Sequence, residues 1–325
     1  MRSKIPVSVA KFPKNMTLAA FAEYWLQYLT PNLKESTRYA YRSAIDNHIK
    51  RVFSTMKLSE ITSEDVQLFI MSLTEGMDLD DPLSPKTIRN VHGVLHKCFQ
   101  KAYELNIIDK NPAKHTALPK LKKPELIPMN NEQVGAFLTA IISHPLECFL
   151  KLALFTGMRK GELIGLTWDC FSFDKGCIRI YRQLSYDKDK RRYYFDSVKN
   201  GKSRTIFPPE AIMEMMQKLY EREPNCPYVF CGTNGNEHLT HSMIRKPFER
   251  LMTNLGMPEF RFHDLRHTFA VICIKAGVDL KTLSEAMGHY SVAFTLDTYA
   301  FALNDMKKDC AQRMQSFMDK QNISI

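Results

Sequence analysis

The stretch RFHDLRHTFA, residues 261–270, places His263, Arg266 and His267 within little more than one helical turn of an otherwise apolar segment. On a helical wheel these three share one side. Leu265, Phe269 and Ile272 lie opposite, and Val271, Cys273 and Ile274 fill much of the remainder. A helix apolar nearly all round is a buried helix. A buried guanidinium needs an anion or several acceptors, because an unpaired charge costs too much there. Either Arg266 meets a carboxylate of this protein, or the helix lines a pocket for an anionic ligand. From this segment alone, a structural salt bridge with satisfied histidines is an equally good reading.

Three other stretches shift that balance. In TGMRKGELIGLTW (156–168), Arg159 follows the helix-breaking Gly157, and Glu162 lies three residues on, where it can hold the guanidinium. GHYSVAFTLDTYA (288–300) supplies His289 and, ten residues later, Tyr299; taken singly, such a tyrosine is a packing residue. SVKNGKSRTI (197–206) sets Lys199 at a strand end before the turn-forming pair Asn200-Gly201, and a lone lysine there is ordinarily just exposed. The nucleotide motif GxxxxGK[ST] is absent. EHLTH (237–241) has HxxH spacing without a third ligand nearby. No metal and no cofactor is expected.

These residues need elements to position them. A chain of 325 residues, 44% hydrophobic and 25% charged, suggests about two globular domains. The formal charge of +10 favours a polyanionic partner such as nucleic acid. No apolar run approaches the ~18 residues of a membrane span, and the basic N-terminus has no apolar secretory core. A cytoplasmic protein without a membrane partner is expected. The eight cysteines are scattered, with no CxxC pair, and all are expected to be reduced and structural; Cys226 and Cys231 in CPYVFC add little.

The first third reads as successive helices: one capped by Thr17, one by Ser36, one opened by a Thr62/Asp65 capping box, and one capped by Ser84 with Pro85 in its first turn. In the last, Ile88, Val91, Leu95, Cys98 and Ala102 form one apolar stripe. The Pro- and Lys-rich stretch around 111–133 breaks the pattern, and the linker is placed at 117–127. The remainder is mixed: helices before Gly157, a short helix at KGELIGLTW, strands at CIRIYRQLSY, RRYYFDSV and KSRTIFP, and mostly helix after Ser242. The fold class is therefore mainly α with a small antiparallel β-sheet. The expected division is an N-terminal tail (1–15), a helical domain (16–116), the linker, an α+β domain (128–305) and a C-terminal helix or tail (306–325).

The ordered set T-G-x-R-x-x-E-L, hairpin Lys, H-x-L-R-H-T, G-H and Tyr resembles the tyrosine recombinases, or phage integrases, over nearly all of residues 16–305. The resemblance implies a two-domain clamp on duplex DNA, a helical SAM-like core-binding domain plus a catalytic domain. It implies Tyr299 as nucleophile, and Arg159, Arg266 and His289 as donors to the scissile phosphate. Lys199 would be the general acid, with Lys202 the alternative, and His263 would help take the phenolic proton. Glu162 supports Arg159, and His267 reads as a structural donor. The resemblance also gives meaning to Arg38, Arg42, Lys86, Arg89, Lys120, Lys122 and Lys123 as backbone contacts. It implies specific recombination sites as substrate, a DNA-bound tetramer organised by the C-terminal helix in trans (packing on its own domain being the competing reading), and an excisionase or directionality factor as further partner.

The chemistry is consistent with these residue types. A phenol attacking phosphorus builds charge on the non-bridging oxygens, which paired N–H donors stabilise. The covalent 3′-phosphotyrosyl link conserves bond energy, so rejoining needs neither ATP nor metal. Many integrases carry a separate arm-binding domain ahead of the first helix, where about 15 residues stand here; that domain is either naturally missing or trimmed away. A mobile-element integrase is the leading expectation. A Xer-type resolvase, a type IB topoisomerase and a catalytically silent DNA-binding homologue are the alternatives, and a helix-turn-helix regulator would leave the Arg/His/Lys/Tyr set unexplained.

Overall fold

The computed structural model describes residues 13, 15–76, 81–122, 126–198, 201–222, 226–232 and 237–321, with side chains outside 303–313. The chain divides into two compact units, Met1–Pro124 with Asp187–Arg192, and Glu125–Tyr186 with Tyr193–Ile325.

The first unit is helical: α1 (Leu18–Tyr28), α2 (Glu35–Ala44), α3 (Lys50–Phe53), α4 (Ser63–Glu75) and α5 (Pro85–Glu104), with a π-helical turn Ile45–Ile49 between α2 and α3. Local chemistry starts most of them. Thr17 accepts from Ala20 N, Ser84 from Thr87 N ahead of Pro85, and Thr62 and Asp65 exchange both bonds of a capping box. Ser36 does not cap α2. The chain already turns at Lys34, whose carbonyl accepts from Thr37 and Arg38, so Ser36 falls inside the first turn. The α5 stripe is buried as expected, against Phe21 and Trp25 of α1 and Phe69 and Ile70 of α4.

The second unit contains α6 (Asn131–Ala140), α7 (Glu147–Thr156), α8 (Lys160–Ile164), β1 (Phe171–Ser172), β2 (Cys177–Ile180), β3 (Arg182–Asp187), β4 (Arg192–Ser197), β5 (Arg204–Ile206), α9 (Glu210–Arg222), α10 (His241–Asn254), α11 (Asp264–Lys275), α12 (Leu280–Met287) and α13 (Val292–Lys320). Among the described residues the strands form antiparallel β1-β2-β5, with Ile178 opposite Ile206, and the pair β3-β4. The expected strand CIRIYRQLSY is interrupted at Tyr181: β2 pairs with β5 and β3 with β4, and the chain runs through an arm from β4 to β5. Gly201 N–H bonds Val198 O within that arm. The β3-β4 hairpin turns at 188–191, at the charged run DKDK.

One cysteine expectation is corrected. Cys226 and Cys231 form a disulfide, with Cα atoms 6.9 Å apart. Tyr228 pairs with Thr167 and Cys231 with His238, so the segment is held by residues outside it. Spacing alone carried no sign of these pairings. Cys98, Cys148, Cys170, Cys177 and Cys273 are free, as expected.

The unit's core runs from Phe137 and Phe149 through Leu163, Ile178 and Phe248 to Leu265 of α11. On its next turns, α11 packs Ala270, Val271 and Ile274 against Leu283, Met287, Tyr299 and Ala302. The helix is thus buried on almost every side. Among the described residues no helix is long and apolar enough to cross a membrane.

Candidate active site

The apolar α7 ends where Gly157 takes a left-handed conformation, φ +59°, and this turn throws Arg159 to the N-cap of α8. Glu162, one turn along, is buried. Its Oε2 accepts from Arg159 N at 2.9 Å and its Oε1 from Arg159 Nη1 at 2.9 Å. The spacing expectation for this pair therefore holds in atomic detail.

A single structural feature gathers the cations. The C-terminal end of α12 leaves carbonyls without helical partners, and three successive ones each receive a different arginine. Ala286 O accepts from Arg204 Nε at 2.8 Å, Met287 O from Arg266 Nη2 at 2.6 Å, and Gly288 O from Arg159 Nη2 at 2.8 Å. The negative end of the helix dipole favours cations there. Arg266 also donates to Gly157 O at 2.5 Å, which ties α11 to the α7 turn. The opening question about this helix has a definite answer: Arg266 is buried and rests on carbonyl oxygens, not on a carboxylate.

Charge is therefore left over. Glu162 takes both η nitrogens of Arg204, at 2.9 and 2.6 Å, as well as Arg159, so one carboxylate serves two guanidiniums while Arg266 rests on carbonyls alone. Burial alone would push the Glu162 carboxyl up, but Arg204 and Arg159 override it and hold the group at about 2. Burial and the neighbouring Arg159 pull Arg266 down to about 9. An anion placed among these groups would relieve their mutual repulsion.

His289 follows directly on Gly288, which is the left-handed cap of α12 at φ +64°. Its Nδ1 lies 2.7 Å from the buried Thr295 hydroxyl, which fixes the ring. Burial, then Arg266 and Arg159, lower His289 to about 3. Arg159, Lys202, Arg204, Gly288 and His289 line one cleft of about 690 Å³. Lys199 lies outside the described residues.

Tyr299 is fully buried, and the backbone of α13 kinks at it, φ −113° and ψ 18°. Its hydroxyl lies 2.9 Å from Nδ1 of His267, not His263. His263 remains solvent-exposed and meets His267 edge to face at 5.0 Å. Burial pushes the phenol up to about 12 and lowers His267, so the proton rests on the tyrosine in this state. The sequence reads His267 as a structural donor, and its bond to the Tyr299 hydroxyl fits that reading; Arg204, which joins Glu162 and Ala286, carries no signal in the sequence beyond its place in a strand.

Of the surface cations, Lys86, Lys120 and Lys122 are exposed, and Lys123 lies outside the described residues. Arg38 donates to Leu26 O and Thr30 O at the end of α1, and Arg89 to Pro119 O at 2.8 Å. Arg42 pairs with Asp189. These three carry structural bonds. Met314 and Phe317 near the end of α13 are more than half exposed.

Two expected results follow from this geometry. A Cβ at residue 157 would lie 2.3 Å from Phe269 Cδ1, so Gly157→Ala adds a clash to a left-handed conformation that itself costs about 1 kcal/mol or more. The melting temperature should fall and the site should lose Arg159 and Arg266 alignment together; an unchanged melting curve contradicts the contact. The second concerns acid. His289, His267 and His92 all titrate below their unfolded value of 6.5, chiefly through burial, so between the two values the unfolded chain binds more protons. Stability is complete above about pH 6.5 and erodes as pH falls toward the folded values; Glu162 adds its own loss from 4.5 down to about 2. Urea midpoints should be lower at about pH 5 than at about pH 7.5, and the reverse order would contradict the assignment.

Residues 128–305 match the phage integrase family, and residues 17–74 match its N-terminal SAM-like domain. A XerC-like tyrosine recombinase of Caldanaerobacter subterraneus is 26% identical over 93% of this chain and 83% of its own. The ICEBs1 integrase of Bacillus subtilis is 24% identical over 89% and 78%. Among solved structures, the Tn1549 transposon integrase in complex with transposon right end DNA superposes with a TM-score of 0.79 at 22% identity, covering 92% of this chain and all of that one. A lambda integrase dimer bound to a core site gives 0.67 at 21%, over 86% and 97%. The fold is theirs, mainly helical with small antiparallel sheets. With the family match spanning more than half of its length, the chain belongs to the phage integrase family of tyrosine recombinases.

Proposed function

We propose that this protein is a site-specific DNA recombinase that integrates and excises a mobile element. The observation that carries the reading is the excess of guanidinium charge at the end of α12, beside a tyrosine on the next helix. Duplex DNA supplies the missing anion. Tyr299 Oη attacks the scissile phosphorus, the new P–O bond forms as the P–O5′ bond breaks, and the 3′ phosphate remains on the protein. Arg159, Arg266 and His289 donate to the non-bridging oxygens as charge accumulates there. O5′ takes its proton from Lys199 or Lys202; the latter lines the cleft. The phenolic proton passes to His263 or to His267, which already touches the hydroxyl. Rejoining reverses these steps with a different 5′ hydroxyl.

Tyr299 must leave its buried pocket to attack, and the kink at its own position is the natural hinge. The exposed basic residues Lys86, Lys120 and Lys122 contact phosphates along the duplex. The exposed end of α13 supports docking on a neighbouring protomer in a DNA-bound tetramer, with a directionality factor biasing the outcome. A chromosomal resolvase remains the second reading, favoured by the XerC-like relative. The test uses a nicked duplex carrying the element's junction sequence, without nucleotide. A covalent protein–DNA adduct that then joins a second duplex supports recombination. Supercoil relaxation without strand exchange would point to topoisomerase action, and no adduct would refute the enzyme.

A further inference from the structure

We propose that Arg204 is a positioning residue for strand cleavage, acting through Glu162 on Arg159. The proposal rests on the reading of Arg159 as a phosphate ligand given above. Arg204 leaves β5 two residues after Lys202, and its side chain is only 9% exposed. It spans Ala286 O and both oxygens of Glu162, so its planar fork fixes the carboxylate in one orientation. The same carboxylate holds Arg159 by its backbone N–H and by Nη1.

Arg204 also controls charge. A Glu162 paired with Arg159 alone would neutralise the cation that has to face the phosphate. Sharing the carboxylate with Arg204 leaves Arg159 with uncancelled positive charge. The second anchor of Arg159 depends on Arg204 as well. The backbone at Gly288, whose carbonyl receives Arg159 Nη2, packs so closely on Arg204 that a Cβ there would lie 2.8 Å from Nη1. Both restraints on Arg159 therefore lead back to one side chain on the lysine-bearing arm.

The test compares single-turnover cleavage of two nicked duplexes by the full chain. One carries the normal phosphodiester, the other a methylphosphonate at the scissile position, which has no charge to stabilise. Arg204→Ala should cut the phosphodiester about 100-fold more slowly, the scale of a misplaced catalytic group, with DNA affinity nearly unchanged. Most of that loss should disappear on the methylphosphonate, since a displaced or neutralised Arg159 matters less there. Arg204→Lys, which keeps a charge but cannot grip both oxygens, should recover only part of the rate. If the alanine variant is unfolded at the assay temperature, the lysine variant carries the same comparison. Wild-type cleavage of the phosphodiester, or an equal loss on both substrates, overturns the proposal. A wild-type protein inert on both substrates would instead sink the recombinase reading, and this proposal with it.

Discussion

Tyr299→Phe should abolish covalent capture of DNA on a nicked duplex while leaving the fold and the DNA affinity in place. The expected loss is complete within detection, at least about 10⁴-fold, because no other step can form the tyrosyl–phosphorus bond. The substitution is unusually clean here. The ring packs in the cluster of Ala270, Val271, Ile274, Leu283 and Met287, and phenylalanine retains all of that burial. What is lost is one hydrogen bond to His267, about 1 kcal/mol, set against the cost of burying the hydroxyl, which also disappears. The melting temperature should shift by only a few degrees. An adduct that persists in the variant would move the nucleophile elsewhere; a variant that unfolds would contradict the packing just described.

The parts of this site written in neighbouring residues were legible before any coordinates. Arg159 and Glu162 are three apart, and their bond follows from helix geometry. Thr62 and Asp65 cap a helix for the same reason. The α5 stripe needed only the helical period. Ser36 failed because a cap depends on where the backbone turns, and it turns two residues earlier, at Lys34, whose side chain makes no cap bond. His267 and Tyr299 are 32 residues apart, and Arg204 and Glu162 are 42 apart, so no local pattern joins them. The carbonyls at the end of α12 are less legible still. Any residue type supplies a carbonyl, and only the fold decides that three arginines converge on Ala286, Met287 and Gly288. The Cys226–Cys231 bond likewise depends on two backbone bridges that the spacing does not encode.

Arg266→Ala should slow cleavage by about 10³-fold, the upper range for removing one preorganised donor from a developing oxyanion, yet change stability little. Two large effects oppose each other at this position. Truncation strands Gly157 O and Met287 O, each costing about 1–3 kcal/mol if left unpaired in the buried interior. Against that, it removes a cation that burial and the nearby Arg159 and Arg204 hold down at about 9, well below its ordinary value. A folded-state value lowered this way means the charged form destabilises the protein throughout the range below about pH 9, and the alanine variant escapes that cost. The wild-type protein recovers it when a phosphate arrives. Adding duplex DNA should therefore raise the melting temperature of the wild type more than that of Arg266→Ala. Thermal melting with and without DNA, beside single-turnover cleavage, measures both halves. Cleavage within tenfold of wild type would remove Arg266 from the phosphate, and equal stabilisation by DNA would show that its charge is already satisfied by the protein.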